Sequence, residues 1–211
     1  MLSTAIVLFR ETIEISLVLG IVLAATADLQ KRLPWILSGM AIGLSGAGAI
    51  AFFAKEISMA AAGIGQEIMN ACILFIAALF IGWTAIWMQK HAYHMSKHIR
   101  RIGQNVSEGI FPLSTLTAII ALSVLREGSE MVLFIYGMIL SGQESTSIVS
   151  GSILGVFLGG AIGAMIYYGL IKVSPRYMFS VTGVFLMLLV AGLASQGAGY
   201  LSAAGFFETW S

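Results

Sequence analysis

The sequence predicts an all-α, polytopic membrane bundle of six transmembrane helices arranged as a 3+3 inverted repeat. Three observations lead there. The chain of 211 residues is 58% hydrophobic and only 10% charged, whereas a soluble domain carries roughly a quarter charged residues. Its apolar residues gather into six segments, each near the ~20 residues a helix needs to cross a bilayer. One charged motif occurs twice, three segments apart. The formal net charge of +1 offers none of the basic surface that a nucleic-acid partner requires. The single cysteine, Cys72, excludes a disulfide framework and any multi-cysteine metal site, and reads as a small apolar residue within a helix.

The six segments cover approximately 3–28, 35–54, 66–88, 111–140, 148–171 and 177–199. The first is expected to be kept as a span and not cleaved as a leader, because no basic stretch precedes it and Arg10 and Glu11 interrupt it. Polar breaks separate the segments: Gln30-Lys31-Arg32, Lys55-Glu56, the stretch from Gln89 to Gly109, Gln143-Glu144, and Lys172 to Arg176. Trp35, Trp87, Tyr93, Tyr177 and Tyr200 fall near the ends, where amphipathic rings favour the bilayer interface. Basic residues concentrate in alternate loops: Lys31 and Arg32, then Lys90, Lys97, Arg100 and Arg101, then Lys172 and Arg176. The positive-inside rule places these three loops in the cytoplasm and the N-terminus outside. The expected organisation is one membrane domain over 1–211. Within it, a first three-helix repeat covers 3–88, a cytoplasmic connecting loop 89–110 and a second repeat 111–199.

The repeat is visible in the residues. Phe9-Arg10-Glu11-Thr12-Ile13-Glu14 parallels Leu125-Arg126-Glu127-Gly128-Ser129-Glu130. Further along, each half carries a Ser-Gly-x-x-x-Gly run, Ser38-Gly39 to Gly43 and Ser150-Gly151 to Gly155. An odd number of spans per half forces the halves into the membrane in opposite senses, an arrangement common in secondary transporters with the substrate site near the midplane. The glycines at four-residue spacing permit close helix approach, which is their ordinary packing role.

Six ionisable residues lie inside the segments: Arg10, Glu11, Glu14, Arg126, Glu127 and Glu130. A charge at the centre of a span costs at least ~2.5 kcal/mol on insertion scales, so such residues face the bundle interior and find partners. At ~100° per residue, each motif puts its three charges on an arc of about 100°. Four carboxylates against two guanidinium groups leave a formal −2, which suits a cation and not an anion. Carboxylates are hard donors, suited to hard cations, and neither His nor Cys stands at that depth to favour copper or zinc. Glu11, Glu14, Glu127 and Glu130 are the candidate metal ligands, with Arg10 and Arg126 holding them as ion pairs when no metal is bound. Ser123 lies one turn from Arg126 on the same face and could add a hydroxyl; Val7 holds the equivalent place in the first half. The purely structural alternative is two buried ion pairs fixing helix register, a weak source of stability.

Lesser signals lie outside the motifs. His91, His94 and His98 share a helical face and could accept metal on the cytoplasmic side, though a solvated basic segment explains them more simply. Glu67, at the outer start of the third segment, could be an entrance ligand or a helix-capping charge. The 11 methionines read as packing.

Two Arg-Glu-x-x-Glu motifs in the first and fourth segments, with an outside N-terminus, resemble the oxidase-dependent iron permeases of fungi and bacteria. The resemblance extends from Phe9 to about Gly199. It implies import of iron, usually ferric, across the plasma (inner) membrane, past Arg10, Glu11, Glu14, Arg126, Glu127 and Glu130. It implies iron as transported substrate, no permanently bound cofactor, and a ferroxidase or iron-binding partner on the outer face. The middle of the motif is usually Gly-Leu in that family, where this chain has Thr12-Ile13 and Gly128-Ser129. A seventh span is also usual, where six are read here. The expected function is therefore a permease and not an enzyme. The alternatives are a divalent heavy-metal or proton-coupled cation carrier, and an intramembrane di-iron carboxylate enzyme. The last is disfavoured because such bundle sites pair Glu with Glu-x-x-His and no His lies within a span.

Overall fold

The structure, a computed structural model, describes residues 1–60, 66–169 and 175–205, without the side chains of 54–60, 66, 88–93 and 175–182. Within a bilayer every backbone N–H and C=O must be satisfied inside the chain, which a helix achieves locally. The described residues accordingly form helices joined by short turns, with no strand among them. They are α1 (Leu2–Ala25), α2 (Arg32–Ala60), α3 (Gln66–Ser107), α4 (Ser114–Leu140), α5 (Ser145–Tyr167) and α6 (Pro175–Ala203).

Among the described residues, four helical stretches are long and apolar enough to cross a membrane: Arg32–Phe53, Glu67–Trp87, Ser145–Tyr167 and Gly183–Ala203. The sequence led to an expectation of six. The other two helices, α1 and α4, have 24 and 27 residues, so length does not separate them; each carries the three charges of its motif. Polarity runs inside out relative to a soluble protein. Leu79, Trp83 and Phe157 are over 70% exposed, while Arg10, Glu11, Glu14, Glu127 and Glu130 are at most 5% exposed. Cys72 is exposed on the flank of α3.

The stretch 89–110, expected as a connecting loop, differs most. Its helix continues from α3 without a break to Ser107. No proline occurs in α3, and Gln, Lys, Ala, Met and Arg are all good helix formers. Hydropathy reports partition into lipid and says nothing about a polar helix continuing beyond it. The helix stops where Gly109, at φ 76°, turns the chain and Ile110 donates back to the Asn105 carbonyl at 2.8 Å. Pro112 then precedes α4. Likewise α2 runs through the expected break at Lys55-Glu56 to Ala60.

The helices pack across the two halves. α1 lies on α5, α2 on α4, and α3 on α6, while α1 and α4 meet at the centre. This set is unchanged when α1, α2 and α3 are exchanged for α4, α5 and α6. Glycine sets the closest approaches. A Cβ built at Gly155 would stand 2.5 Å from the Ala5 carbonyl oxygen, and one at Gly159 would stand 2.8 Å from that of Phe9. In the other half, a Cβ at Gly39 would stand 2.8 Å from the Thr117 carbonyl oxygen, and one at Gly43 as close to that of Ala121. The glycine runs therefore seat each charged-motif helix against a helix of the opposite half. They do not join α1 to α4.

Two apolar clusters bracket the charges. One contains Val7 and Leu8 of α1 with Phe134 and Met138 of α4; the other contains Val22 of α1 with Leu116, Ile120 and Val124 of α4. On α1 the order along the chain is first cluster, charges, second cluster, and on α4 it is the reverse. The two motif helices thus run antiparallel, with their charges at one level.

Candidate metal centre

The centre is built where α1 and α4 cross. Helical periodicity turns Arg10, Glu11 and Glu14 of α1 toward α4, and Glu127 and Glu130 of α4 toward α1. Glu11, Glu14 and Glu127 each present a carboxylate oxygen within 4.8 Å of the others, and all three side chains are buried. One cation could touch all three.

The two arginines differ. Arg10 is 2% exposed and spreads its fork over both carboxylates of its motif, with Nη1 2.6 Å from Glu11 Oε1 and Nη2 2.9 Å from Glu14 Oε1. The first contact is an aligned hydrogen bond. The second is close in distance but off-line, so Glu14 Oε1 has an ion pair without a directed donor. Arg126 is 29% exposed, and its Nε donates to Glu130 Oε1 at 3.3 Å and lies 3.8 Å from Glu127 Oε1. Its guanidinium carbon is 5.0 Å from the centroid of the Trp87 ring.

The satisfied oxygens are outnumbered. Glu11 Oε2, both oxygens of Glu14 and Glu127 Oε2 are buried without a hydrogen-bond partner. A buried carboxylate oxygen lacking a donor is costly, by several kcal/mol for an ionised group. The donor set is all oxygen and carries excess negative charge, so its chemistry fits a hard cation.

A cavity of about 180 Å³ opens on this cluster, lined among others by Glu14, Glu127, Arg126, Ser123, Met95 and Ser96. Ile21 also walls a neighbouring cavity of about 500 Å³ that reaches Asp28, Arg100, Gln104, Ser107 and Glu108. The opposite side is closed by the apolar cluster of Val7, Leu8, Phe134 and Met138. Beyond it, the buried Thr4 hydroxyl lies 3.1 Å from Met138 Sδ and 3.2 Å from Gln143 Oε1, and Gln143 Nε2 donates to Ser3 Oγ at 2.9 Å.

Over residues 1–210 the chain matches the model of the iron permease FTR1 family. The chain belongs to that family. A protein named ferrous iron permease EfeU from Yersinia pestis is 25% identical over 209 residues, covering 96% of this chain and 73% of the relative. An EfeU from Escherichia coli is 24% identical, covering 96% and 74%. High affinity iron permease 1 from Rhizopus delemar is 28% identical, covering 92% of this chain and 58% of the relative. No solved structure matches the chain. Family members carry the name of transporters and not of enzymes, and the apolar helices agree with a multi-pass membrane protein.

The fold brings some of the residues singled out in the sequence together and leaves others apart. Glu11, Glu14, Glu127, Glu130, Arg10 and Arg126 form one cluster. Ser123 lines the cavity beside it. Glu67 is exposed in the first turn of α3, 20 residues before Trp87, which at 1.5 Å per residue is roughly 30 Å along the axis from Arg126. His94 and His98 are exposed and share a separate cavity with Lys97 and Arg101, among cations and not carboxylates. The His91 side chain lies outside the described residues. Sequence reasoning missed Met95, Ser96, Asp28 and Glu108 as cavity walls. It placed Trp87 near the bilayer interface and did not foresee that its ring would face a motif arginine.

Proposed function

We propose that this chain imports iron across the plasma membrane through the carboxylate cluster between α1 and α4. Glu11, Glu14 and Glu127 are the first cradle for the ion, Glu130 is a further ligand, and Arg10 and Arg126 neutralise the cluster between ions. The observation that carries this reading is the convergence of a carboxylate oxygen from each of Glu11, Glu14 and Glu127 to within 4.8 Å of one another, on three glutamates that also hold buried oxygens without hydrogen-bond partners. Such a cluster is electrostatically incomplete until a cation arrives.

The route follows from the cavities. All six helices span, as a 3+3 inverted repeat of residues 3–88 and 111–199 with the N-terminus outside. This reading is supported by the exchange symmetry of helix packing and the alternation of basic loops. On this orientation the two adjoining cavities lead from Glu14 and Glu127 past Ile21 to Asp28 and Glu108 on the cytoplasmic side. The apolar cluster and the Thr4–Gln143 contact seal the outer side. The ion is delivered at that outer face, by a ferroxidase or iron-binding partner, and is released when the outer side closes.

Hard, all-oxygen ligation favours the ferric ion. A ferrous cargo has its own support: two positive charges balance the −2 of the cluster, and several relatives bear the name ferrous iron permease. Uptake of radiolabelled iron of each valence into proteoliposomes separates the two. The same assay tests the site. Glu11→Gln, Glu14→Gln and Glu127→Gln remove charge and keep shape, and each should lower uptake at least ~10-fold per inserted molecule, the loss expected from one charged ligand. If all three carry iron like the parent, the cluster is structural and the proposal fails.

A further inference from the structure

The two halves present the same motif but treat its arginine differently. Arg10 is enclosed and bound by both of its carboxylates, whereas Arg126 is partly exposed, faces the cavity and reaches its carboxylates through Nε at the longer distances of 3.3 and 3.8 Å. Glu130 is engaged by that single 3.3 Å hydrogen bond, while Glu11, Glu14 and Glu127 already converge. The guanidinium of Arg126 also lies over the Trp87 ring at 5.0 Å, within cation–π range.

We propose that Trp87 is a positioning residue for transport: its ring holds the Arg126 guanidinium when a metal ion draws Glu130 into its coordination sphere. The inference rests on the carboxylate cluster being the iron site. A multivalent cation in the cradle repels the neighbouring guanidinium and competes for Glu130. A guanidinium pushed off its carboxylate within a membrane protein needs another acceptor that is not itself an anion. The electron-rich face of an indole is such a partner, and Trp is the strongest of the aromatic residues in this role. Arg126 then passes between two partners already within reach, and Glu130 becomes free without the charge entering lipid. The first half offers no such movement, since Arg10 is almost fully enclosed. One motif is therefore a fixed clamp and the other a releasable one.

The test uses the full chain in proteoliposomes, with uptake of ferric and of ferrous iron measured against iron concentration and normalised to inserted protein. Trp87→Leu keeps apolar bulk and removes the π face. It should raise the half-saturating iron concentration about tenfold, with Trp87→Phe recovering part of the loss. In an Arg126→Gln background the same Trp87→Leu change should have less than about a twofold effect, because its partner is gone. A second readout stands if Arg126→Gln abolishes uptake. In a variant with Trp35, Trp83 and Trp210 replaced by Phe, gallium(III) or zinc(II), which are redox-inert, should shift the Trp87 fluorescence, and the shift should vanish with Arg126→Gln. Equal loss from Trp87→Leu in both backgrounds, parental uptake by Trp87→Leu, or a fluorescence change independent of Arg126 overturns the proposal. Failure here with intact losses in the Glu→Gln series leaves the iron site standing; parental uptake by that series removes the site itself.

Discussion

The third residue of each motif makes a reciprocal contact that can be tested by exchange. In the first half Thr12 packs against Gly159, where a Cβ would stand 2.8 Å from the Thr12 Cβ. In the second half Gly128 packs against Ala47, and a Cβ at Gly128 would stand 2.7 Å from the Ala47 Cβ. Each pair tolerates one Cβ and not two, and the glycine has changed sides. Gly128→Thr places two carbons about 1 Å inside their normal contact distance of ~3.5–4.0 Å. Overpacking of this kind costs about 1–3 kcal/mol. At about 2–4 °C per kcal/mol for a chain of this size, melting should fall by roughly 2–12 °C. Ala47→Gly alone should cost about 1 kcal/mol through helix propensity. Combined, the two changes reproduce the arrangement of the first half, so the double variant should be more stable than Gly128→Thr alone. Thermal unfolding of the purified protein in detergent, followed by uptake in proteoliposomes, measures this. If the two losses simply add, the contact is not a steric exchange and the reasoning is refuted.

Two further outcomes follow from the geometry. Arg10→Lys should reduce iron uptake at least about tenfold, and more than Arg126→Lys. A lysine cannot span two carboxylates as the Arg10 fork does, and equal effects would contradict the inequality of the two arginines. Cysteine introduced at Lys97 in a Cys72→Ser background should react with an impermeant thiol reagent only from the cytoplasmic side. Strong labelling in intact cells would reverse the orientation assigned to the cavities.

Much of the site could be read from the sequence because its logic is local. Charge inside an apolar segment is expensive wherever it stands, and a three-residue spacing on a helix fixes a common face. Glu11, Glu14 and Glu127 were therefore legible as one constellation, and the glycine spacing announced close packing. What spacing does not reveal is the partner. The Gly151 to Gly163 series indicates a smooth helix face, but only the folded chain shows that α1 occupies it. The length of α3 escaped for another reason. Its segment after Trp87 is polar, and the absence of proline and the run of good helix formers carried the information that hydropathy discarded. The Trp87 contact escaped as well: an aromatic ring near a span's end suits lipid headgroups, and nothing local reveals the cation above it. Asp28 and Glu108 lie in turn segments 80 residues apart in the chain, so their shared cavity is a product of tertiary folding alone.

The crossed packing of the halves bears on what can move. Where a backbone carbonyl rests directly on a glycine, sliding by even a fraction of an ångström meets hard repulsion, since packed interfaces favour discrete arrangements over continuous deformation. The α1–α5 and α2–α4 seams are of this kind. The described glycines of α1 and α4 face other helices: Gly20 meets Tyr167, Gly128 meets Ala47 and Gly137 meets Leu193. Between α1 and α4 themselves lie long side chains, ion pairs and a cavity. The tightest seams are thus mixed pairs, each drawing one helix from either half of the chain. The α1–α4 seam, which holds the charges and the cavity, has no such glycine contact among the described residues.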